Sequence, residues 1–458
     1  MNFIYVIFSG VLLSAAFPKV NFFFVAWVAL VPFFIAVEKS KNAKSAALLG
    51  FLFGLSLFSI NLFWVNTLFL YVGFWAILGW ACLIAFQSIY LFIYAYIIKR
   101  FGITLSIWTA VLWVLIEAIR GMGDFGIPGG VVGYSQVLFL PLIQIASFST
   151  VYGVSFLIII FNIGLAKIFV RKEKISSYTI FGLSLILMFI SIVFGFFELD
   201  KETKYENHIK VSIIQGNIPQ EKKLDPRFNN ENFLIHKELT LKAANNSPQI
   251  IIWPETSIFT YLLYDKKYLT EVEELAKKTK AFLFIGTPHY DRHYNVYNSI
   301  AVFSQSGEVI GRYDKQHLVP FGEYLPFKPV LYPILKNTGY YNKDFTPGTK
   351  INPIEIMGIK IGTAICFEST FPFLIKKQTK MGADFFIVIT NDAWFKFSSA
   401  PYEHFDYAIF RAIENRKFLI QAANTGISGL IDPYGRILNK LDLNKQGYLT
   451  VEIPVLSQ

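Results

Sequence analysis

The sequence predicts two structural classes in one chain: an N-terminal polytopic α-helical membrane bundle, then an α/β domain. Three observations carry this. Of its 458 residues 54% are hydrophobic, 17% aromatic and only 16% charged, too apolar for an ordinary soluble protein. The charges are also segregated, since residues 1–200 hold 17 of the 74 Asp, Glu, Lys and Arg residues and residues 201–458 hold the other 57. Finally, the patterning changes at the same place, from apolar runs of membrane-spanning length to short strands alternating with helices.

Apolar runs lie near 3–18, 22–37, 46–64, 70–98, 103–119, 148–170 and 178–197, which gives a bundle of about seven helices over residues 1–200. The first has the length of a signal-peptide core. No Lys or Arg precedes it, however, and the apolar pattern resumes soon after Lys19, so a retained helix is expected. The run 70–98 is long enough for two spans, but one tilted span preserves the alternation of loop charge. Lys39, Lys41 and Lys44, then Lys99 and Arg100, then Arg171, Lys172 and Lys174 follow the even-numbered runs, while the intervening loops carry only Lys19 and Arg120. By the positive-inside rule the N-terminus is cytoplasmic, and the second domain emerges on the outer face. The glycine-rich stretch GMGDFGIPGGVVGYSQ (121–136) is too irregular to face lipid. It reads either as a lining buried against protein or water, or as an ordinary connection.

A charged linker, ELDKETKYENH (198–208), opens the second domain, residues 201–458. Strands are expected at 209–215, 249–253, 281–286, 297–304, 308–315, 359–366, 384–390, 417–424 and 426–432, with helices near 231–245, 267–279, 370–380 and 403–416. The final stretch YLTVEIPVLSQ is strand-like, and no final membrane span is expected. No internal repeat is visible. Each half carries about +5 of the net +10 without a dense basic tract, which favours anionic lipid surfaces and argues against nucleic acid.

Reactive side chains in α/β sheets collect where strands end. Three apolar strands end here in an acid, a base and a thiol: QIIIWPE at Glu255, GRYDK at Lys315 and IKIGTAIC at Cys366. Acyl transfer through a thioester needs such parts: a nucleophilic sulfur, a carboxylate to move protons, and a cation or N–H groups for the oxyanion. Each residue alone has a plainer reading. Cys366 would be a small buried hydrophobe, Glu255 a helix-start carboxylate and Lys315 a solvated strand-end charge. With Cys82 inside an apolar run, both cysteines are expected as free thiols. The six histidines supply no catalytic partner, and His289 and His293 lack the further ligands of a zinc site, so no metal is expected. Glu255 is the available kind of base.

WPET (253–256), KQHLVPFGEYLP (315–326), ICFES (365–369), TNDAWF (390–395), and FRAIENRKF with AANTGISGLIDPYGR (410–436) together resemble the nitrilase superfamily. The preceding multispan bundle, with GYSQ (133–136) and then QGNIPQ (215–220), is similar to the membrane-bound apolipoprotein N-acyltransferase family. The resemblance implies an αββα sandwich with Cys366 as nucleophile, Glu255 as general base and acid, and Lys315 as oxyanion stabiliser. Supporting roles are implied for Glu323, for Glu368 and for the backbone N–H of Phe367. It also implies a phospholipid acyl donor, a diacylglyceryl-lipoprotein acceptor and a bacterial inner-membrane location, with the catalytic domain on the periplasmic face. No cofactor, no metal and no nucleic-acid partner are expected, and the protein is expected to be a monomer. Phe367 and Leu224 stand where many members carry Tyr and Trp, and most members have a further C-terminal membrane helix. Two rival readings are a membrane-anchored amidase that uses water in the second step, and a transporter or non-catalytic lipid-binding scaffold.

Overall fold

The computed structural model describes residues 2–170, 176–201, 207–336 and 344–455. Arg171, Lys172, Lys174 and the middle of the charged linker lie outside the described residues. The chain divides into two compact units, residues 1–201 with Ser398–Asp406, and Glu202–Phe397 with Tyr407–Gln458.

The first unit is helical. Among the described residues, four helices are long and apolar enough to cross a membrane by length and composition: Ala43–Asn61, Phe74–Arg100, Ala146–Val170 and Tyr178–Leu199. The run near 70–98 forms a single 27-residue helix, Phe74–Arg100. The first two predicted runs give the shorter apolar segments Asn2–Ser14 and Phe23–Glu38, and the fifth gives the 14-residue helix Ile107–Arg120.

Phe23–Glu38 is interrupted near Pro32, which has no N–H to continue a helix. Asn162 repairs the break: its Oδ1 accepts from Leu30 N–H at 3.0 Å, and its Nδ2 donates to the Ala26 carbonyl at 2.9 Å. The glycine-rich stretch is buried against protein over 131–137. Its backbone polar groups are met by side chains, as irregular chain among apolar helices requires. Glu117 Oε1 accepts from Val132 N–H at 2.8 Å, Arg120 donates to the Gly129 carbonyl at 2.8 Å, and Ser155 Oγ accepts from Gly133 N–H at 2.8 Å.

The second unit is an αββα sandwich. Its first sheet contains β1 (Asn207–Gln215), β2 (Ile250–Ile252), β3 (Phe282–Tyr290), β4 (Val296–Phe303), β5 (Val309–Asp314) and β12 (Gly447–Val455), in the order β12-β1-β2-β3-β4-β5. The second contains β6 (Ile354–Ile356), β7 (Ile359–Ile365), β8 (Phe385–Thr390), β9 (Leu419–Ala423), β10 (Ser428–Ile431) and β11 (Ile437–Leu441), in the order β11-β10-β9-β8-β7-β6. In each sheet three parallel strands sit at the centre, β1-β2-β3 and β7-β8-β9. An antiparallel strand flanks one side, β12 or β6, and two flank the other, β4-β5 or β10-β11. The two sheets therefore repeat one pairing pattern, although the sequence shows no repeat.

The sheets face each other across one apolar core. Ile209, Val211, Ile252 and Phe284 of the first meet Ile361, Ile365, Ile387 and Ile420 of the second. Parallel strands buried on both faces carry apolar residues throughout, and β2 (III) and β8 (FFIVIT) are buried along their whole length. Helices Asn229–Ala244 and Lys266–Thr279 cover the outer face of the first sheet, where Phe233, Leu239, Val272 and Leu275 pack on Ile251, Leu283 and Phe303. On the second sheet, Gln378 of helix Pro372–Lys380 pairs with both the N–H and the carbonyl of Thr363.

Two strands are not apparent from the sequence. β11 (ILNKL) is an exposed edge and shows no apolar alternation, and β6 is only three residues long.

Gly286 of β3 lies against the chain that leaves β2. A Cβ there would sit 2.3 Å from the Pro254 carbonyl oxygen and 2.7 Å from Glu255 Cα. Gly286→Ala is expected to cost about 1–3 kcal/mol by overpacking and to displace Glu255. Thermal unfolding in detergent, measured beside the reactivity of Cys366, checks both effects.

Candidate active site

The three strand ends named from sequence converge. β2 is followed by Trp253, anchored through its indole N–H to Thr240 Oγ1 at 2.8 Å, and by Pro254, which has no N–H to extend the ladder. Glu255 comes next and is buried. Its Oε1 accepts from Asn298 Nδ2 at 2.7 Å and its Oε2 from the Asn391 backbone N–H at 2.8 Å, so the carboxylate is held from two sides.

Lys315 follows β5. Its N–H donates to the Asn298 carbonyl at 2.8 Å, and its carbonyl accepts from Gly348 N–H at 2.7 Å. The side chain is 1% exposed, with Nζ 2.9 Å from Glu323 and 3.7 Å from Glu255 Oε1. Burial alone opposes its charge, but Glu323 and Glu255 outweigh burial and raise the ammonium above its usual range. Glu323 is fixed in turn, accepting from Asn298 Nδ2 at 2.9 Å and from Val319 N–H at 2.8 Å.

Cys366 ends β7 at φ +53°, a left-handed backbone conformation unusual for a residue with a Cβ, and starts the 3-10 turn Cys366–Thr370. The thiol is half-buried. Burial, and then the Glu255 carboxylate, push it well above the usual thiol range, against the opposing pull of Lys315 and a hydrogen bond with Thr390. The resting form is therefore a thiol within electrostatic reach of both a carboxylate and a buried ammonium. Phe367 stands in the first turn of the 3-10 helix, where backbone N–H groups lack partners within the helix. Its ring packs edge-on against Phe371 at 4.9 Å and beside His317 at 5.8 Å.

Glu368 ties the second sheet to the Lys315 loop. It is fully buried. Oε1 accepts from Gln316 N–H at 2.6 Å and His317 N–H at 3.1 Å, Oε2 accepts from Ile365 N–H at 2.8 Å, and the Tyr313 hydroxyl lies 3.0 Å from both oxygens. Burial raises its carboxyl to about 7, although the backbone donors and Lys315 favour the ionised form. Cys82, the other cysteine, lies exposed on helix Phe74–Arg100, and Leu224, partly exposed, follows helix Gln220–Lys223.

Several contributors were not singled out from the sequence. Asn298 bridges Glu255 and Glu323. The motifs QGNIPQ, TNDAWF and AANTG form one hydrogen-bonded web: Asn391 Nδ2 donates to Gln220 Oε1 at 2.8 Å, Asn424 Nδ2 donates to Asn391 Oδ1 at 3.0 Å, and Asn424 Oδ1 accepts from Ile218 N–H at 3.0 Å. Lys223 is buried and donates to the Glu255 carbonyl oxygen at 2.7 Å. For Asn391 and Asn424 the signal available in the sequence was their place inside motifs already marked, whereas Asn298 lies in strand β4, outside those motifs. Their amides both donate and accept, which suits a web between loops.

Replacing Glu368 by Gln puts an amide NH₂ among donors, so at least one buried backbone N–H loses its acceptor. Glu368→Gln is expected to cost about 1–3 kcal/mol, read by thermal unfolding. The Glu368 carboxyl is raised from 4.5 to about 7 in the folded chain. Its protonation therefore contributes stability that is complete below about 4.5 and lost as pH rises through about 7. The wild-type unfolding temperature should fall across that window, and the Gln variant should lack that slope.

Comparison with known proteins places the chain in a family. Residues 210–457 match the carbon-nitrogen hydrolase family, and residues 9–164 match the apolipoprotein N-acyltransferase N-terminal domain. The apolipoprotein N-acyltransferase of Geobacter metallireducens is 35% identical over 99% of this chain and 89% of its own length. That of Aquifex aeolicus is 32% identical over 96% of both chains. Among solved structures, Saccharomyces cerevisiae Nit3, a member of branch 10 of the nitrilase superfamily, is 19% identical, covers 56% of this chain and 93% of its own, and has a TM-score of 0.44. With relatives of this identity matched over nearly its whole length, and both parts matching the corresponding domains, the chain belongs to the apolipoprotein N-acyltransferase family.

Proposed function

We propose that this chain transfers an acyl group from a phospholipid, through a thioester on Cys366, to the N-terminal α-amine of a diacylglyceryl-cysteine lipoprotein. The observation that carries the reading is the grouping of Cys366 with the held carboxylate of Glu255 and the buried ammonium of Lys315, in a chain with long apolar helices. Glu255 takes the thiol proton, and the thiolate attacks a glycerol ester. Lys315 and the Phe367 N–H stabilise the oxyanion. The carbon–oxygen bond breaks, the leaving lysophospholipid takes the proton from Glu255, and the acyl chain stays on sulfur. In the second step the lipoprotein amine attacks the thioester and Glu255 accepts its proton. The carbon–sulfur bond breaks and the thiol is restored. Glu323 fixes Lys315, and Glu368 fixes the backbone just before the nucleophile and the loop beside Lys315. Such an exchange is ping-pong.

Long apolar helices and family membership describe a multi-pass bacterial membrane protein. The loop charges Lys39, Lys41, Lys44, Lys99 and Arg100 support an inner-membrane orientation with the catalytic domain outside. Exposed Phe327, Val330 and Phe397 offer apolar surface to a lipid substrate.

Intact-mass analysis of the purified protein after incubation with phospholipid should show one added acyl chain, which an added diacylglyceryl-peptide removes as an amide. Cys366→Ala should abolish the adduct and Cys82→Ala should retain it. An adduct that persists in Cys366→Ala would sink the assignment, and release of free fatty acid without amide would favour a hydrolase. Since the unprotonated amine attacks, and an α-amine titrates near about 8, aminolysis of preformed thioester should accelerate from neutral to mildly alkaline pH in single-turnover measurements.

A further inference from the structure

Lys223 has a setting that the proposed chemistry has not used. It ends the short helix Gln220–Lys223, is 2% exposed, and among the described residues its ammonium makes one hydrogen bond, to the Glu255 carbonyl. A neutral donor could hold that carbonyl with less desolvation, because an ammonium taken out of water is disfavoured by several kcal/mol unless it is paired. The charge therefore answers to its surroundings. Glu255, Cys366 and Asp392 all lie within electrostatic reach, and all favour the charged amine.

The other groups around Lys223 are accounted for. Its helix neighbours are engaged in ion pairs, Glu221 with Lys396 and Lys222 with Glu231, each at 2.8 Å. The adjacent helix Asn229–Ala244 contributes fully buried His236, which burial brings down to about 4, so that its ring is neutral at physiological pH. Lys315, a second buried cation, is engaged by Glu323 at 2.9 Å and stands 3.7 Å from the Glu255 carboxylate. Glu255 is thus gripped at both ends, its carbonyl by Lys223 and its carboxylate by Asn298, Asn391 and Lys315.

We propose that Lys223 is the second cation of the nucleophilic site, a positioning residue that fixes the general base through its main chain and favours the Cys366 thiolate while it is charged. The inference rests on the reading of Cys366 as nucleophile and adds a regulator of its ionisation. Burial brings the Lys223 ammonium from the usual lysine range down to about 7, against the pull of Glu255, Cys366 and Asp392. Its charge is accordingly present below neutral pH and lost above it. Cys366 then feels two cations on the acid side and Lys315 alone on the alkaline side.

The test is the rate of Cys366 alkylation by iodoacetamide, followed by mass spectrometry on the full-length protein in detergent across pH, for wild type, Lys223→Met and Lys223→Arg. Cys82→Ala in the background removes the other thiol. At about pH 6 the wild type should react about tenfold faster than Lys223→Met, the effect of one unit of thiol pKa. The ratio should fall towards one by about pH 8.5, because both then lack the charge. Lys223→Arg keeps its charge, so its advantage over Met should persist at alkaline pH. A wild-type-to-Met ratio that does not change with pH, an Arg variant that behaves like Met, or a Cys366 unreactive throughout overturns the proposal. If Lys223→Met does not fold, the wild-type profile decides: an inflection near neutral pH that Lys223→Arg abolishes supports it, and a single thiol titration in both overturns it. Alkylation needs no lipid, so a missing phospholipid adduct beside an intact pH signature rejects acyl transfer and leaves the role of Lys223 standing.

Discussion

The buried ammonium of Lys315 is the constraint on which the site depends. A cation 1% exposed persists only if anions meet it inside the protein. Glu323 meets it at 2.9 Å and Glu255 stands at 3.7 Å, and those two carboxylates are bridged by a single amide, that of Asn298. Because Asn298 belongs to β4, Lys315 follows β5 and Glu255 follows β2, the charge balance can be met only when the first sheet is correctly paired. The position of the Glu255 carboxylate is thereby set by the register of the sheet. Cys366 arrives from the other sheet, and Glu368 joins its turn to the backbone beside Lys315.

The division of labour between these acids follows from their surroundings. Glu255 accepts from two donors and stands 3.7 Å from a cation, so its carboxylate is fixed in place from several sides. Glu323 is spent on Lys315 and the Val319 N–H, so it holds a charge in place. Glu368 is enclosed by backbone donors and the Tyr313 hydroxyl, which suits it to shaping the turn. Three carboxylates within one site thus differ in role without differing in kind.

Much of this was legible in the sequence, for a physical reason. Parallel strands buried on both faces must be apolar throughout, so the polar residue that ends each run stands out, as Glu255 and Cys366 do. Lys315 was visible where a mixed strand gives way to a loop. The rest carried weaker signals. β11 is an exposed edge whose Asn and Lys hide any alternation, and the repeated pairing pattern of the two sheets survives in hydrogen bonds without surviving in residues. Lys223 sits in QEKKL, which reads as a solvated charged turn, and only packing reveals that Lys223 is buried while Lys222 is half-buried. In the helical unit, hydropathy located the apolar segments, but the break near Pro32 and the capture of the glycine-rich stretch by Glu117, Arg120 and Ser155 depend on long-range contacts.

The pairing of β1 with β12 has a consequence for biosynthesis. The first strand of the sandwich borders the last, with Asn207 opposite Val455, so the first sheet remains one strand short until nearly the whole domain has been delivered. A chain made from its N-terminus exposes the unpaired edge of β1 throughout that interval, and closing the sheet joins residues almost 250 positions apart. Such late, long-range closure is slow. It also delays the finished environment of the Cys366 sulfur, because Glu255 and Lys315 follow strands of the sheet that closes last.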